Sequence, residues 1–197
     1  MNLGKLQNID KIVFSSEDLK RLFDITNKSA QVTASRYVKS ESLIRLKRDL
    51  YILPQVFNRL GEEEIFSIAN LLQTPSYISL TTALSYYNLT TQQTPNFTES
   101  VALKRTKEIK IENKIFNYSL LKKDFYFGFI KRNDFFIASP EKALADLIYL
   151  SAIGKYNADF DAINFEKFDK STTESILNKS NKAAKNLWLK LMKIYVH

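Results

Sequence analysis

Residues 25–53 read ITNKSAQVTASRYVKSESLIRLKRDLYIL, and this stretch decides the fold of the N-terminal part. On an ideal helix beginning near Lys28, Ala30, Ala34, Tyr37 and Val38 fall within about 100° of one another, which makes a buried stripe. Lys28, Val32, Ser35, Arg36 and Lys39 fall on the opposite side. Residues 43–47 then begin a strand, Arg48-Asp49 turns it, and residues 50–53 return. A helix with a small, polar and basic outer face, followed at once by a basic hairpin, is the pattern of a winged helix-turn-helix. Such a helix fits a major groove about 12 Å wide, and the hairpin can lie along the adjacent backbone.

A basic helix with an apolar face also describes an ordinary solvated surface helix. Three details favour the first reading. Ser29, Ala30, Ala34 and Ser35 are small enough for close approach to another surface. Between Lys28 and Arg48 stand six Lys/Arg (Lys28, Arg36, Lys39, Arg45, Lys47 and Arg48) against one acid, Glu41. A candidate first helix precedes them, over residues 17–24, with the apolar stripe Leu19, Leu22 and Phe23. Either Ser15 or Ser16 can cap it, and Glu17 and Asp18 suit its positive end. Thr26-Asn27 then turns the chain into the basic helix.

With 197 residues the chain holds one large domain or two small ones. A hydrophobic fraction of 45% is sufficient for a core, and 14 Phe and 10 Tyr against four Gly and four Pro exclude a low-complexity chain. There is no cysteine, so disulfides and thiolate metal sites are excluded. The N-terminus lacks a signal-like apolar core, and no run approaches the roughly 20 apolar residues of a bilayer span. The expectation is a cytoplasmic protein with no membrane partner. A net charge of +8 points to a polyanionic partner.

Along the chain, a short helix is expected over residues 2–12. Residues 54–61 read as a linker after Pro54. Helices follow over 62–73, with Ile65, Ile68, Ala69 and Leu72 inward, and over 80–87, capped by Ser79. From Glu99 the period changes to two, which predicts an antiparallel sheet of four or five strands. Ser139-Pro140-Glu141 starts a helix whose Leu144, Leu147 and Ile148 face a core. A long helix over 172–195 is expected to pack on the sheet through Leu177, Ala184, Leu187, Trp188, Leu191, Met192 and Tyr195. The fold class is therefore α+β, with a winged helix-turn-helix over 1–58 and an α+β domain over 59–197.

Two stretches resemble a known family, the AbiEi-type antitoxins and transcriptional regulators of bacterial type IV toxin–antitoxin systems. One is LIRLKRDLYILP, residues 43–54, similar to the family's basic wing. The other is IASPEKALADL, residues 137–147, close to its Ser/Thr-Pro-Glu-Lys-Ala-Leu-x-Asp-Leu helix start. YISLTTAL, residues 77–84, is a weaker match. Glu41 and Asp49 stand where the family usually has glycine. The resemblance implies an autorepressor that binds inverted repeats in duplex DNA upstream of its operon. It also implies a C-terminal domain that counters a nucleotidyltransferase-type toxin, without requiring a stable complex.

Catalytic constellations are not apparent. The only histidine is the last residue, His197. Asp159-Phe160-Asp161 lacks the upstream Gly-Ser loop of a nucleotidyltransferase and reads as a polar loop. Glu141 and Asp146 read as a helix-start acid and a helix-surface group. No phosphate-cradling glycine loop occurs. The expectation is no enzyme, no cofactor and no metal. Ser29, Gln31, Val32, Ser35 and Arg36 are the candidate base readers. Lys28, Lys39, Arg45, Lys47 and Arg48 are the candidate phosphate contacts. Two other readings remain: a protein-interaction module whose basic helix is incidental, and an RNA binder using its many aromatics.

Overall fold

The computed structural model describes residues 3–195, and the chain divides into two compact units between Gly61 and Glu62. In the first unit, Leu3–Asn8 form a 3-10 helix, shorter and tighter than the helix expected over 2–12. Asn2 and the side chain of Leu3 lie outside the described residues. Helix α1 (Ser16–Phe23) opens with a capping box: Ser15 Oγ accepts the Asp18 N–H, and the Asp18 carboxylate accepts the Ser15 N–H at 2.8 Å. It closes at Asp24, whose φ of 53° is a left-handed conformation that a short polar side chain tolerates. Three residues separate α1 from helix α2 (Asn27–Lys39), which opens with Thr26 Oγ1 accepting the Ser29 N–H at 3.2 Å.

The core of this unit gathers Leu6, Phe14, Leu19, Ala30, Ala34, Leu43 and Tyr51. Ala30 and Ala34 are wholly inaccessible, so their small size lets α2 seat closely on the core; it is not offered to an outer surface. Tyr37 and Val38 pack on the same cluster, half-buried, and Thr33 joins the buried side. Strands β1 (Ile44–Lys47) and β2 (Leu50–Ile52) form an antiparallel hairpin with a register slip between Arg45 and Lys47. Phe14 adds a third rung, exchanging backbone hydrogen bonds with Tyr51 at 3.0 and 2.8 Å. Glu41 and Asp49, the two positions where glycine was expected from the resemblance, both have positive φ, 56° and 55°. The expected linker instead begins with a helical turn, α3 (Pro54–Phe57). Pro54 presets the φ of a first helical turn, and Phe57 is fully buried.

The second unit contains α4 (Glu62–Leu72), β3 (Ser76–Ile78), α5 (Leu80–Tyr86), β4 (Phe97–Ala102), β5 (Lys107–Ile111), β6 (Lys114–Leu120), β7 (Phe129–Arg132), β8 (Phe135–Ala138), α6 (Pro140–Ala152), α7 (Lys170–Asn178) and α8 (Lys182–Tyr195). Its sheet has six strands in the order β5-β6-β4-β3-β8-β7. The sheet is mixed, not antiparallel as expected: β3 runs parallel to β8, and β4 parallel to β6. Each hairpin is local, with a left-handed residue at its turn, Glu112 or Asn133. Which strand of each hairpin lies against the β3–β4 ribbon is a long-range choice.

Helix α4 covers one face of the sheet, through Phe66 on Phe135 and the Tyr118 hydroxyl on Ala69 O at 2.6 Å. Phe66 is buried with Ile68 and Ala69, whereas Ile65 and Leu72 are only half-buried. Helix α6 lies on the other face, and Lys142 through Leu150 are all buried. The long helix expected at the C-terminus is broken into α7 and α8. Asn181 makes the second start, its side-chain oxygen accepting the Ala184 N–H at 2.8 Å. Both helices pack on α6, burying Leu177, Ala184, Trp188 and Leu191, where packing on the sheet was expected. No helix among the described residues is long and apolar enough to cross a membrane.

Candidate nucleic-acid interface

Alternation on α2 places the functional candidates. Because Ala30, Thr33 and Ala34 are drawn into the core, Lys28, Ser29, Gln31, Val32, Ser35, Arg36 and Lys39 are all exposed. Lys28, Gln31, Val32, Ser35, Arg36 and Lys39 line one shallow depression. Ser29 sits outside it, at the helix start, sharing a 3.0 Å hydrogen bond with Thr26. Ser35 Oγ donates to Gln31 O at 2.9 Å. Both hydroxyls are thus engaged within the helix. The carboxamide of Gln31, the guanidinium of Arg36 and the methyls of Val32, itself 44% exposed, are left to meet a ligand.

Arg45, Lys47 and Arg48 lie outside that depression, exposed on β1 and its turn. The Arg45 Nε donates to Lys47 O at 3.4 Å, across the register slip. Lys28, Arg36, Lys39, Arg45 and Arg48 take part in none of the four ion pairs found among the described residues. Their charge is therefore not neutralised by a neighbouring carboxylate.

Two fastenings that the sequence reading did not identify hold the hairpin in place. Tyr37 O accepts the N–H groups of both Ser42 and Leu43, at 2.9 and 3.1 Å, which ties the last turn of α2 to the start of β1. Asp49 Oδ1 accepts the Ser16 N–H at 2.9 Å, anchoring the hairpin turn to the positive end of α1. The available signal was Asp49 itself, an acid at a position where glycine was expected. Asp49→Gly keeps the left-handed backbone and removes the anchor. A fall in stability of roughly 0.5–2 kcal/mol is expected, as for a lost cap. A urea melt no different from wild type would show the anchor to be idle.

The second unit carries its own polar clusters, both buried. Asp146, expected on a helix surface, is wholly inaccessible, as is Lys142. Asp146 Oδ2 accepts the Tyr77 and Ser79 hydroxyls at 2.9 and 2.8 Å, and Oδ1 accepts Lys142 Nζ. Lys142 Nζ also donates to Phe125 O at 2.8 Å and stands 3.7 Å from the centroid of the Phe125 ring. Burial pushes the Asp146 carboxyl up and the Lys142 ammonium down, and the hydrogen bonds to the charged forms oppose both. Each polar atom is satisfied, so the cluster fastens α6 to β3 and to the turn at 123–125. Ser79 was expected to cap α5; its side chain makes no cap bond there and serves Asp146 instead. Gly128 packs directly on Lys142: a Cβ there would sit 3.0 Å from Lys142 Cγ, at a φ of 75°.

Glu99, 5% exposed, receives hydrogen bonds from Tyr156 and from the backbone of Thr81 and Thr82 at the start of α5. Burial pushes its carboxyl up from 4.5 to about 7 despite these partners. The folded state therefore holds this proton after the unfolded chain has released it. Its contribution is fully present below about 4.5 and is lost as pH rises to about 7. Over that window wild type should lose on the order of 3 kcal/mol relative to Glu99→Gln. Denaturant melts of both proteins at successive pH values check this; parallel curves would contradict it.

Around Asp159 and Asp161, both exposed, the chain forms a 3-10 turn, Phe160–Ala162, where a loop was expected, and Asp161 accepts the Tyr195 hydroxyl. No group of three or more potential metal ligands occurs among the described residues. His197 lies outside them. Neither protein-family models nor curated proteins give a match to this chain.

Proposed function

We propose that this chain is a sequence-specific duplex-DNA-binding transcription regulator whose N-terminal unit is a winged helix-turn-helix. The observation that carries the reading is α2 itself. Its inward side is built of alanines seated in the core, and its outward side is an un-neutralised row of cations around Gln31, Val32 and Arg36. The order of elements supports it: 3-10 helix, the Phe14 rung, α1, a three-residue turn, α2, then the hairpin. So do the left-handed conformations at Glu41 and Asp49, which glycine would adopt freely. On this reading Arg36 reaches guanine, Gln31 adenine and Val32 a thymine methyl, while Lys28, Lys39, Arg45, Lys47 and Arg48 hold phosphates.

The resemblance extends the proposal. The chain would be the autorepressing antitoxin of a type IV operon, with its C-terminal unit countering a nucleotidyltransferase-type toxin. The test is binding to a labelled duplex from the chain's own upstream region, against scrambled duplex, over a salt series. Preference for the upstream duplex by roughly 10³-fold or more is expected. Arg36→Ala should cost roughly 1–3 kcal/mol and relax one base position. Lys47→Ala should weaken all sequences alike and flatten the salt slope by about 1. Equal, steeply salt-dependent binding to both duplexes would reduce the site to a charged surface.

A further inference from the structure

The six-stranded sheet ends on one side at β5, whose sequence is Lys107-Glu108-Ile109-Lys110-Ile111. The hydrogen-bonding phase of this strand follows from its neighbours. Lys107 lies opposite Tyr118, Ile109 opposite Phe116 and Ile111 opposite Lys114, across a two-residue turn. The Ile115 N–H is donated away from β5, to Asn96 O on the β4 side, at 2.7 Å. The backbones of residues 114, 116 and 118 therefore face β5, and those of 107, 109 and 111 answer them. The N–H and C=O groups of Glu108 and Lys110 are left pointing outward along the free edge. Both side chains are exposed, and neither joins an ion pair among the described residues.

An open edge is a template for another strand, and charge on an edge commonly prevents such pairing. Here the outcome depends on register. Two antiparallel copies of β5 must set outward-facing residues opposite one another. A register with Glu108 on the partner's Glu108, or Lys110 on the partner's Lys110, brings like charges together. The register centred on Ile109 does the opposite. Glu108 lies against the partner's Lys110, and Lys110 against the partner's Glu108, each as a hydrogen-bonded backbone pair. Ile109 meets the partner's Ile109 on the other face of the sheet. The strand is thus complementary to itself in one register alone. The opposite edge, β7, reads Phe129-Ile130-Lys131-Arg132 and contains no acid to form such pairs.

We propose that a second copy of this chain docks on β5, continuing the sheet across a twofold axis through paired Glu108 and Lys110. The contact is one short strand on another, below the roughly 1,000 Å² of a stable interface, so the association is weak and reversible. It is independent of the DNA reading.

Sedimentation equilibrium of the full chain across ~5–500 μM should show a concentration-dependent monomer–dimer equilibrium. Because the axis repeats each pair, Glu108→Lys or Lys110→Glu turns both attractions into repulsions and should weaken dimerisation roughly 10-fold or more. The double variant E108K/K110E restores the opposite charges and should return to within roughly threefold of wild type. Far-UV circular dichroism of each variant should match wild type, since both positions are exposed. A monomer at every concentration overturns the proposal. So does a dimer that both single reversals leave unchanged, or one that the double reversal fails to restore.

Discussion

Asp146→Ala is expected to destabilise the second unit by about 3–5 kcal/mol, because it strands a charge in the core. Lys142 would keep Phe125 O and the rings of Phe125 and Phe127, none of them a counter-charge, and the hydroxyls of Tyr77 and Ser79 would lose their acceptor. An ammonium without a counter-charge here sheds its proton, so the loss should grow as pH falls below the ordinary lysine range. Replacing both members, as in K142M/D146L, removes the stranded charge and should cost less than Asp146→Ala alone. The hydroxyls of Tyr77 and Ser79 still go unanswered, so the double variant should not reach wild-type stability. Urea melts of the three proteins give the comparison. A single variant losing under ~1 kcal/mol would mean that the pair contributes little beyond a neutral hydrogen bond.

Phe14→Ala is the counterpart in the first unit. Phe14 is 2% exposed, packs on Tyr51 with ring centroids 6.4 Å apart, and belongs to the cluster on which Ala30 and Ala34 rest. Truncating a buried phenylalanine costs about 3–5 kcal/mol, a large share of what a unit of roughly 60 residues can muster. The backbone rung to Tyr51 is unaffected in kind but loses its packed support. If α2 is the DNA-reading element, this variant should lose preference for the upstream duplex even though no candidate contact has changed. The second unit's part of the unfolding profile should persist. Gel-shift titrations alongside a melt would decide it. Undiminished operator preference, with the unit demonstrably loosened, would argue that DNA is read elsewhere.

Much of the first unit was legible from spacing. Helical periodicity put Ala30, Ala34, Tyr37 and Val38 on the side that packs and the cations on the side that does not. Capping chemistry marked the Ser15-Ser16 pair and Ser139 as helix starts, because a capping side-chain oxygen acts within three residues, and Ser15 is the one of the pair that caps. Hairpin turns were legible for the same reason. The anchor from Asp49 to Ser16 was not, because it joins residues 33 positions apart and no local rule relates them.

The second unit shows where local reasoning ends. Alternation identified strands, yet whether a strand pairs parallel or antiparallel depends on which edges meet, and periodicity carries no information about partners. A wide stripe of apolar positions, from Leu177 to Tyr195, looked like one helix over 172–195. Asn181 could cap a fresh helix, and packing two short helices on α6 proved compatible with the same pattern. Asp146 looked like a surface acid because a carboxylate is rarely buried without a partner. Its partner Lys142 stood four residues away in plain view, but only the close packing of α6 against β3 and Phe125 removed both from water. The sequence by itself determined the helix starts at Ser15 and Ser139, the hairpin turns and where the basic face lies, since those follow from contacts within a few residues. Sheet order, the buried ion pair and the open β5 edge were decided by the tertiary structure alone, since each arises only when distant segments exclude water together.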